Sequence, residues 1–447
     1  MHELASRLVG PVLEPGDPGF DEEVAGFNLA IRHRPQLVVG AVSTDDVLAA
    51  VRYAAAHGLP VRVLATGHGD HVPVADGLLL TTRRMDAVAV DSATRVATLA
   101  AGARWGDVIA AAAPHGLAPI TGSSATVGAV GYLLGGGLGP LARSHGFSSD
   151  HLLGATVVTA DGVVDASPDG DAELYWALRG GKGGFGVVTE VRVRLASIPE
   201  LYAGSLLFDA AHVEPVLRGW IDWTATAPDD VTTSMLLVRF PDLELLPPHL
   251  RGRFLAMLRF ARPGSAADGA ALAAPLRSLA PVELDALGPM PLADVAQIHA
   301  DPVDPGPSWG WGRLLEPIDQ RFASALLGQF HATSPLPLLG VELRHLGGAT
   351  AVDVEEGSAV GGRGAAFALH ALGAPDPALF DEVLPRAIGG FAEALRPWLA
   401  AQTTIHFMPH IPTGDDYRTA WSPEAFERLA AVRDRVDPTG LFPYGAR

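Results

Sequence analysis

The sequence predicts an α+β fold in two domains, and three observations lead to it. Residues 37–64 run strand, helix, strand in under thirty positions, the pattern of a βαβ unit. After Pro199 the strand-like runs at 231–239, 253–260, 338–346 and 365–372 alternate with helical patterns near 212–226, 265–279, 319–332 and 378–400. That alternation calls for an antiparallel sheet flanked by helices. The chain is 447 residues long and 48% apolar, enough for two cores.

Taken in order, Leu37-Val38-Val39-Gly40-Ala41-Val42 reads as a strand. Ser43 suits an N-cap, Asp45 and Asp46 favour the first turn, and Val47, Leu48, Val51 and Ala55 recur at helical spacing until Gly58. Leu59–Leu64 is a second strand that runs straight into the turn Ala65-Thr66-Gly67-His68-Gly69. Strands follow at 78–82 and 95–101, with a helix from Trp105 to Ala113. Ala155–Thr159 and Val163–Ala166 flank Asp161-Gly162, a strong hairpin signal. A helix around Glu173–Arg179, a glycine cluster at 180–186 and the period-two strand Val187–Leu195 complete the first half. In the second half, 241–248 and 302–307 are Pro-rich loops, and Pro423–Val436 is an amphipathic helix.

Composition narrows the function classes. With no cysteine, the chain has no disulfide, no thiolate metal site and no Cys nucleophile, and no metal is expected. A formal charge of −18 argues against nucleic acid or an anionic membrane as partner. No 18-residue apolar stretch occurs, and the N-terminus lacks a signal-peptide pattern, so a cytoplasmic protein, monomer or homodimer, is expected.

Residues 122–162 carry the chemistry. The run GSSATVGAVGYLLGGGLG is so poor in side chains that it cannot build a core, and glycine is entropically costly to order. Its use is to let backbone N–H groups approach something large, flat or anionic. The turn 65–69 has the same character, so the two loops are expected to close on one nucleotide cofactor.

These segments resemble the berberine bridge enzyme-like branch of the FAD-linked oxidases, the superfamily of vanillyl-alcohol oxidase with its PCMH-type FAD-binding domain. The family's flavin loop, roughly R-S-G-G-H-S, is matched by Leu64-Ala65-Thr66-Gly67-His68-Gly69. The family's G-x-C-x-x-V-G-x-x-G-x-x-x-G-G-G-x-G is matched from Gly122 through Val127, Gly128, Gly131, Gly135, Gly136 and Gly137 to Gly139. A third segment, W-A-L-R-G-G-G-x-N-F-G-V-V-T, appears as Trp176–Thr189 with Lys182 and Gly184 substituted. Three matches in order over some 120 residues are specific, and the tail DPTGLF resembles the family's DPxNxF.

The resemblance implies an FAD-binding domain over 1–200, to which 418–447 returns, and a substrate domain over 201–417. It implies that Ser123, Ser124, Thr126 and Tyr132 join the glycines in holding FAD, with Gly186, Val187 and Val188 behind and Tyr444 standing where relatives carry an Asn. In the family the residue matching His68 bonds covalently to the flavin 8α carbon. A second bond through Cys is excluded, since Ser124 fills that place. The alternative for His68 is a loop histidine without chemistry, and His71 is close enough to shift the alignment.

The implied reaction removes a substrate proton with a side chain of the second domain while a hydride passes to flavin N5, and O2 reoxidises the flavin. Glu342 and Arg344 share one face of their strand by period two, with His345 opposite. Simple ion pairing is the competing reading for both. In 402–410, aligned with a family strand Y-x-N-F, Thr404 and His406 take the polar places, which makes His406, and after it His410, candidate bases. A strand-end histidine bonded to backbone is the alternative. Trp309 and Trp311 are read either as a substrate mouth or as packing. The missing tyrosine leaves open a second function, a non-redox step such as cyclisation of a natural-product intermediate on a flavin scaffold.

Overall fold

The computed structural model describes residues 2–69, 72–244, 246–408 and 417–444. Helix Thr44–His57 forms as its caps dictate. Ser43 accepts the N–H of Asp46, Gly58 closes the helix at φ 64°, and Val47, Ala50, Val51 and Ala54 are buried. The strands on either side of it, Leu37–Gly40 and Val61–Leu64, are parallel but not neighbours. Leu78–Thr81 lies between them and pairs with both. A crossover across one strand position is an ordinary variant of the βαβ unit expected here.

A second sheet has five antiparallel strands in the order Val88–Asp91, Val96–Ala100, Val187–Arg194, Leu152–Val158, Val163–Ala166. The hairpin at Asp161-Gly162 is present, and Gly162 takes φ 146° there. Strand Val88–Asp91 escapes sequence reading because half of it faces solvent and it holds only two valines.

The second half is built on an eight-stranded sheet. Its path runs Leu284–Asp285, Leu201–Asp209, Phe254–Pro263, Thr232–Arg239, Leu338–His345, Phe367–Gly373, Gly310–Leu315, with Gly288–Pro289 beside Leu201–Asp209. Helices Val213–Thr224, Ala266–Arg277, Gln320–Gln329 and Val383–Leu395 cover one face and enclose the largest core, with Trp220, Phe260, Phe322 and Phe391 at its centre. Trp309 and Trp311 belong to this core, so they pack and do not line a substrate mouth. Gly310–Leu315, to which sequence pattern assigns no element, is a strand.

Two contacts position the halves. Arg143, buried beside the glycine-rich segment, donates Nε to the Val231 carbonyl (2.8 Å), Nη2 to the Pro228 carbonyl (3.1 Å) and Nη1 to the Leu346 carbonyl. Helix Pro423–Val436 packs Leu429, Val432 and Val436 into the first-half cluster of Trp105, Leu133, Tyr175 and Trp176. Its Arg433 donates to the carbonyls of Gly181 and Gly183, both at 3.1 Å.

Candidate functional site

The turn after Val61–Leu64 sets His68 between two hydroxyls. Nδ1 lies 3.1 Å from Thr66 Oγ1 and Nε2 lies 3.0 Å from Thr126 Oγ1, while Phe27 stacks on the ring at 3.7 Å. Thr66 Oγ1 also accepts the N–H of Gly128 (3.1 Å), and Ser124 Oγ is 3.0 Å from Thr126 Oγ1. The turn and the glycine-rich segment are therefore joined, as the sequence led us to expect, and Ser123–Val127 remain half-buried.

The glycines divide into two kinds. A Cβ on Gly139 would stand 1.7 Å from the Thr121 carbonyl oxygen, and one on Gly122 or Gly137 would strike the Tyr132 ring at 2.7 and 2.5 Å. Those three allow the segment to fold on itself. At Gly69 and Gly131 a Cβ would meet nothing within 4 Å. Gly136 and Gly137 have positive φ (99° and 79°), a conformation that favours glycine. Gly186, also at positive φ, packs against the Val158 carbonyl, and Val187 and Val188 are buried in two different clusters. A ligand would meet those two valines through their backbone.

Tyr132 and His406 close the far end of the segment, with ring centroids 4.9 Å apart. Gly137 N–H donates to His406 Nε2 at 2.6 Å. Burial, then the Lys182 charge, pushes His406 down to about 3, so the ring is neutral and one nitrogen is engaged by backbone. This geometry makes His406 an anchor of the loop and not the proton acceptor expected from sequence. Ile405–Phe407 is a 3₁₀ turn and not the strand read there. His410 and His71 lie outside the described residues. Burial raises Tyr132 above its ordinary value, so it is protonated. Tyr444 covers Gly183 and Gly184 and meets the Tyr417 ring edge-on at 6.0 Å.

Across from this end stands the face of the large sheet opposite its four covering α-helices. Arg344 Nη1 donates to the Leu138 carbonyl at 3.0 Å, bringing strand Leu338–His345 onto the glycine-rich segment. Glu342 is held by Arg259 Nη1 (2.7 Å), Arg344 Nε (2.9 Å) and Ser234 Oγ (3.1 Å), with His299 Nε2 at 3.4 Å. Burial alone would raise its pKa. The charges of Arg344 and Arg259 and the His299 contact outweigh burial and hold the carboxylate well below the usual range. Glu342 is thus an ion-paired acceptor of hydrogen bonds. It is too weak a base for the role expected of it, and the competing reading, ion pairing, describes it. His345 points to the opposite face, stacked on Phe367 at 5.1 Å.

An apolar wall of Leu207, Leu236, Val238 and Leu255, with Met257 and Phe240 against it, continues the same sheet face beside Glu342. Sequence reading missed Arg259, His299 and this wall. None lies in a motif: strand register places Arg259 and the wall beside Glu342, and the turn after the 3₁₀ helix Leu292–Ile298 brings His299 to it.

Residues 35–167 match the family model described as an FAD binding domain. The chain is 30% identical to (R)-6-hydroxynicotine oxidase of Paenarthrobacter nicotinovorans, over 97% of its own length and 95% of that enzyme's. It belongs to the berberine bridge enzyme-like FAD-linked oxidases. Glucooligosaccharide oxidase of Sarocladium strictum is 37% identical over 42% of this chain and 39% of that enzyme. The crystal structure of 6-hydroxy-D-nicotine oxidase from Arthrobacter nicotinovorans superposes with a TM-score of 0.82 at 26% identity, covering 98% of both chains. Physcomitrella patens BBE-like 1 shares the fold, with a TM-score of 0.84 at 18% identity over 99% of this chain and 97% of that one. This member of the FAD-linked oxidases therefore has the PCMH-type fold and is an FAD-dependent oxidase. The relatives give the non-redox alternative no support.

The residues fit FAD. Gly69 and Gly131 offer approach without side chains, the buried hydroxyls of Thr121, Ser148 and Ser149 have no hydrogen-bond partner among the described residues, and Ser123–Val127 are half-open. Among the described residues no group of three metal-binding side chains occurs, and no helix is long and apolar enough to cross a membrane.

Proposed function

We propose that this enzyme oxidises a small, largely apolar amine at the C–H beside nitrogen, with FAD joined covalently to His68 and O2 as the final electron acceptor. The observation that supports this best is the sheet face opposite the glycine-rich segment, where one buried ion-paired carboxylate adjoins a wall of leucine and valine. Such a surface suits a compact apolar body with one polar end. The relative matched over 97% of this chain, and so across both halves, is named for oxidation of hydroxynicotine.

Bound FAD supplies the two-electron acceptor. Around it, Gly122–Gly139 and the 65–69 turn present backbone N–H groups and the hydroxyls of Thr66, Ser124 and Thr126. Phe27 and the two threonines fix the plane of His68, which orients the nitrogen that would bond to the flavin. Lys182, whose Nζ donates to the Gly131 carbonyl at 2.7 Å, and Arg344 bring positive charge to the Gly131–Leu138 stretch. Fixed positive charge there favours the anionic form of a reduced ring. Glu342 and Arg259 hold Arg344 in place and orient the polar end of the substrate. We also place the domain boundary at 200, with 418–447 returning to the first domain, since Leu429, Val432 and Val436 share its core.

Acid precipitation tests the attachment. A yellow pellet with a flavin peptide containing His68 is expected, and the H68A variant is expected to release all its FAD to the supernatant. Anaerobic mixing with a panel of cyclic and secondary amines tests the reaction. Bleaching of the flavin by amines is expected, whereas bleaching only by sugars or primary alcohols would overturn the substrate class.

A further inference from the structure

We propose that Asp301 selects substrates by their positive charge, accepting a hydrogen bond from the protonated nitrogen of an incoming amine; this rests on the amine-oxidase reading above. The chain around it is fastened at both ends. On one side His299 is buried, with Nε2 3.4 Å from Glu342, and its carbonyl accepts Arg259 Nη2 at 3.3 Å. On the other side Gly306 N–H donates to the Phe27 carbonyl (3.0 Å), and Asn28 Nδ2 donates to the Ser308 carbonyl (3.1 Å). Ser308 N–H donates in return to Asn28 Oδ1 at 3.1 Å. Residues 300–305 therefore form a strap from the large sheet to the segment whose Phe27 stacks on His68.

Ala300, between His299 and Asp301, takes φ 52°. A non-glycine residue persists in that left-handed conformation where its surroundings impose it. Asp301 is half-buried, whereas residues 302–305 of the strap are exposed. Its charge acts on Tyr132 of the glycine-rich segment and on Arg259, Arg344 and His370 of the sheet. Asp301 thus stands at the cleft between the two walls that a substrate has to enter.

The neighbouring groups leave this carboxylate for a cation. Two carboxylates, Glu342 and Asp301, act on Arg259 and His370. Glu342 is buried, and its oxygens are taken by Arg259, Arg344 and Ser234. Asp301 is half-exposed, and among the described residues no hydrogen bond or ion pair occupies its oxygens.

An alkyl ammonium is charged at neutral pH, as the ordinary lysine value of about 10.4 shows. Entering the cleft removes part of its water, a loss that the wall of leucine and valine cannot offset. Arg259 and Arg344 repel it. A carboxylate with open acceptor sites replaces the lost water by a charge-assisted hydrogen bond. A neutral ligand of the same shape gains less, so the residue discriminates by charge.

Anaerobic stopped-flow reduction of the holoenzyme by the amines of the panel, N-methylpyrrolidine among them, tests this. The dependence of rate on amine concentration separates the apparent Kd from the limiting rate. D301N is expected to raise the apparent Kd by about tenfold or more, the usual effect of losing a hydrogen bond to a charged group, and to alter the limiting rate by less than about threefold. D301E keeps the charge and should stay within about threefold of wild type in both. Added salt should weaken amine binding to wild type and leave D301N little changed. Neutral cyclopentanone, followed by its perturbation of the oxidised flavin spectrum, should bind wild type and D301N alike. D304N removes a charge from the exposed part of the same strap and is expected to behave as wild type. An apparent Kd for amines that is the same in D301N as in wild type, or that rises equally in D304N, overturns the assignment and leaves the amine reading intact. A wild type bleached by no amine overturns the amine reading and this proposal with it.

Discussion

Individual glycines do different work in this cofactor site, and the difference can be measured. Gly131 faces open space, whereas Gly139 sits where any Cβ would strike the Thr121 carbonyl. Gly131→Ala is expected to leave apoprotein melting unchanged, because the methyl has room within a helical turn, yet to weaken FAD retention on dilution. Gly139→Ala is expected to cost about 1–3 kcal/mol of stability by overpacking and to lower Tm before any cofactor is added. Equal behaviour of the two variants in a thermal melt would refute the distinction. Sequence reading grouped these glycines as one motif, since a one-letter pattern does not show what lies 2 Å away. Pattern alone named His68, Tyr132, Arg344, Glu342 and His406, but it did not show which partners each would meet. Basicity depends on partners distant in the chain: Arg259 is 83 residues from Glu342, and Gly137 is 269 from His406.

At the scale of elements, the last helix acts on the flavin site through one side chain. Arg433 reaches back to the carbonyls of Gly181 and Gly183, in the loop whose Lys182 adopts φ 67°. A non-glycine residue at such an angle is held there by its surroundings. Arg433→Met keeps the length and loses the bonds. It should loosen the 180–186 loop, raise its amide hydrogen exchange and reduce FAD occupancy, with the large-sheet half unaffected. Protection unchanged in 180–186 would argue that Leu429 and Val432 alone hold the helix. Elements with strong periodicity were legible beforehand: helix Pro423–Val436 and strands 187–194 and 338–345 match their expected positions closely. Strands Leu201–Asp209 and Gly310–Leu315 were not. The first is apolar nearly throughout, and the second is broken by glycines and arginine, so neither alternates.

For the whole molecule, burial of neutral histidines sets the response to pH. His345 is 8% exposed and pushed down to about 3 by burial and by the Arg143 charge. Unfolded, it returns to 6.5. Below 6.5 the unfolded chain binds a proton that the folded one refuses, so stability falls as pH drops from 6.5 toward 3. The slope is up to about 1.4 kcal/mol per pH unit for this one group. His406, His370 and His145 are depressed too and act in the same direction, as does Glu342 at lower pH. Melting temperature should therefore fall steadily between pH 6.5 and 4.5. A flat profile would show that these rings are solvated in solution.

The sequence by itself determined the two-part α+β organisation, the FAD-binding segments and the single possible histidyl attachment. These depend on local pattern: periodicity, caps, glycine spacing and the lack of cysteine. Only the tertiary structure decided which glycines border open space, which carboxylate is ion-paired and which histidines are buried neutral. Those properties arise from strand register and burial, which bring together residues far apart in the chain and change their charge state once they meet.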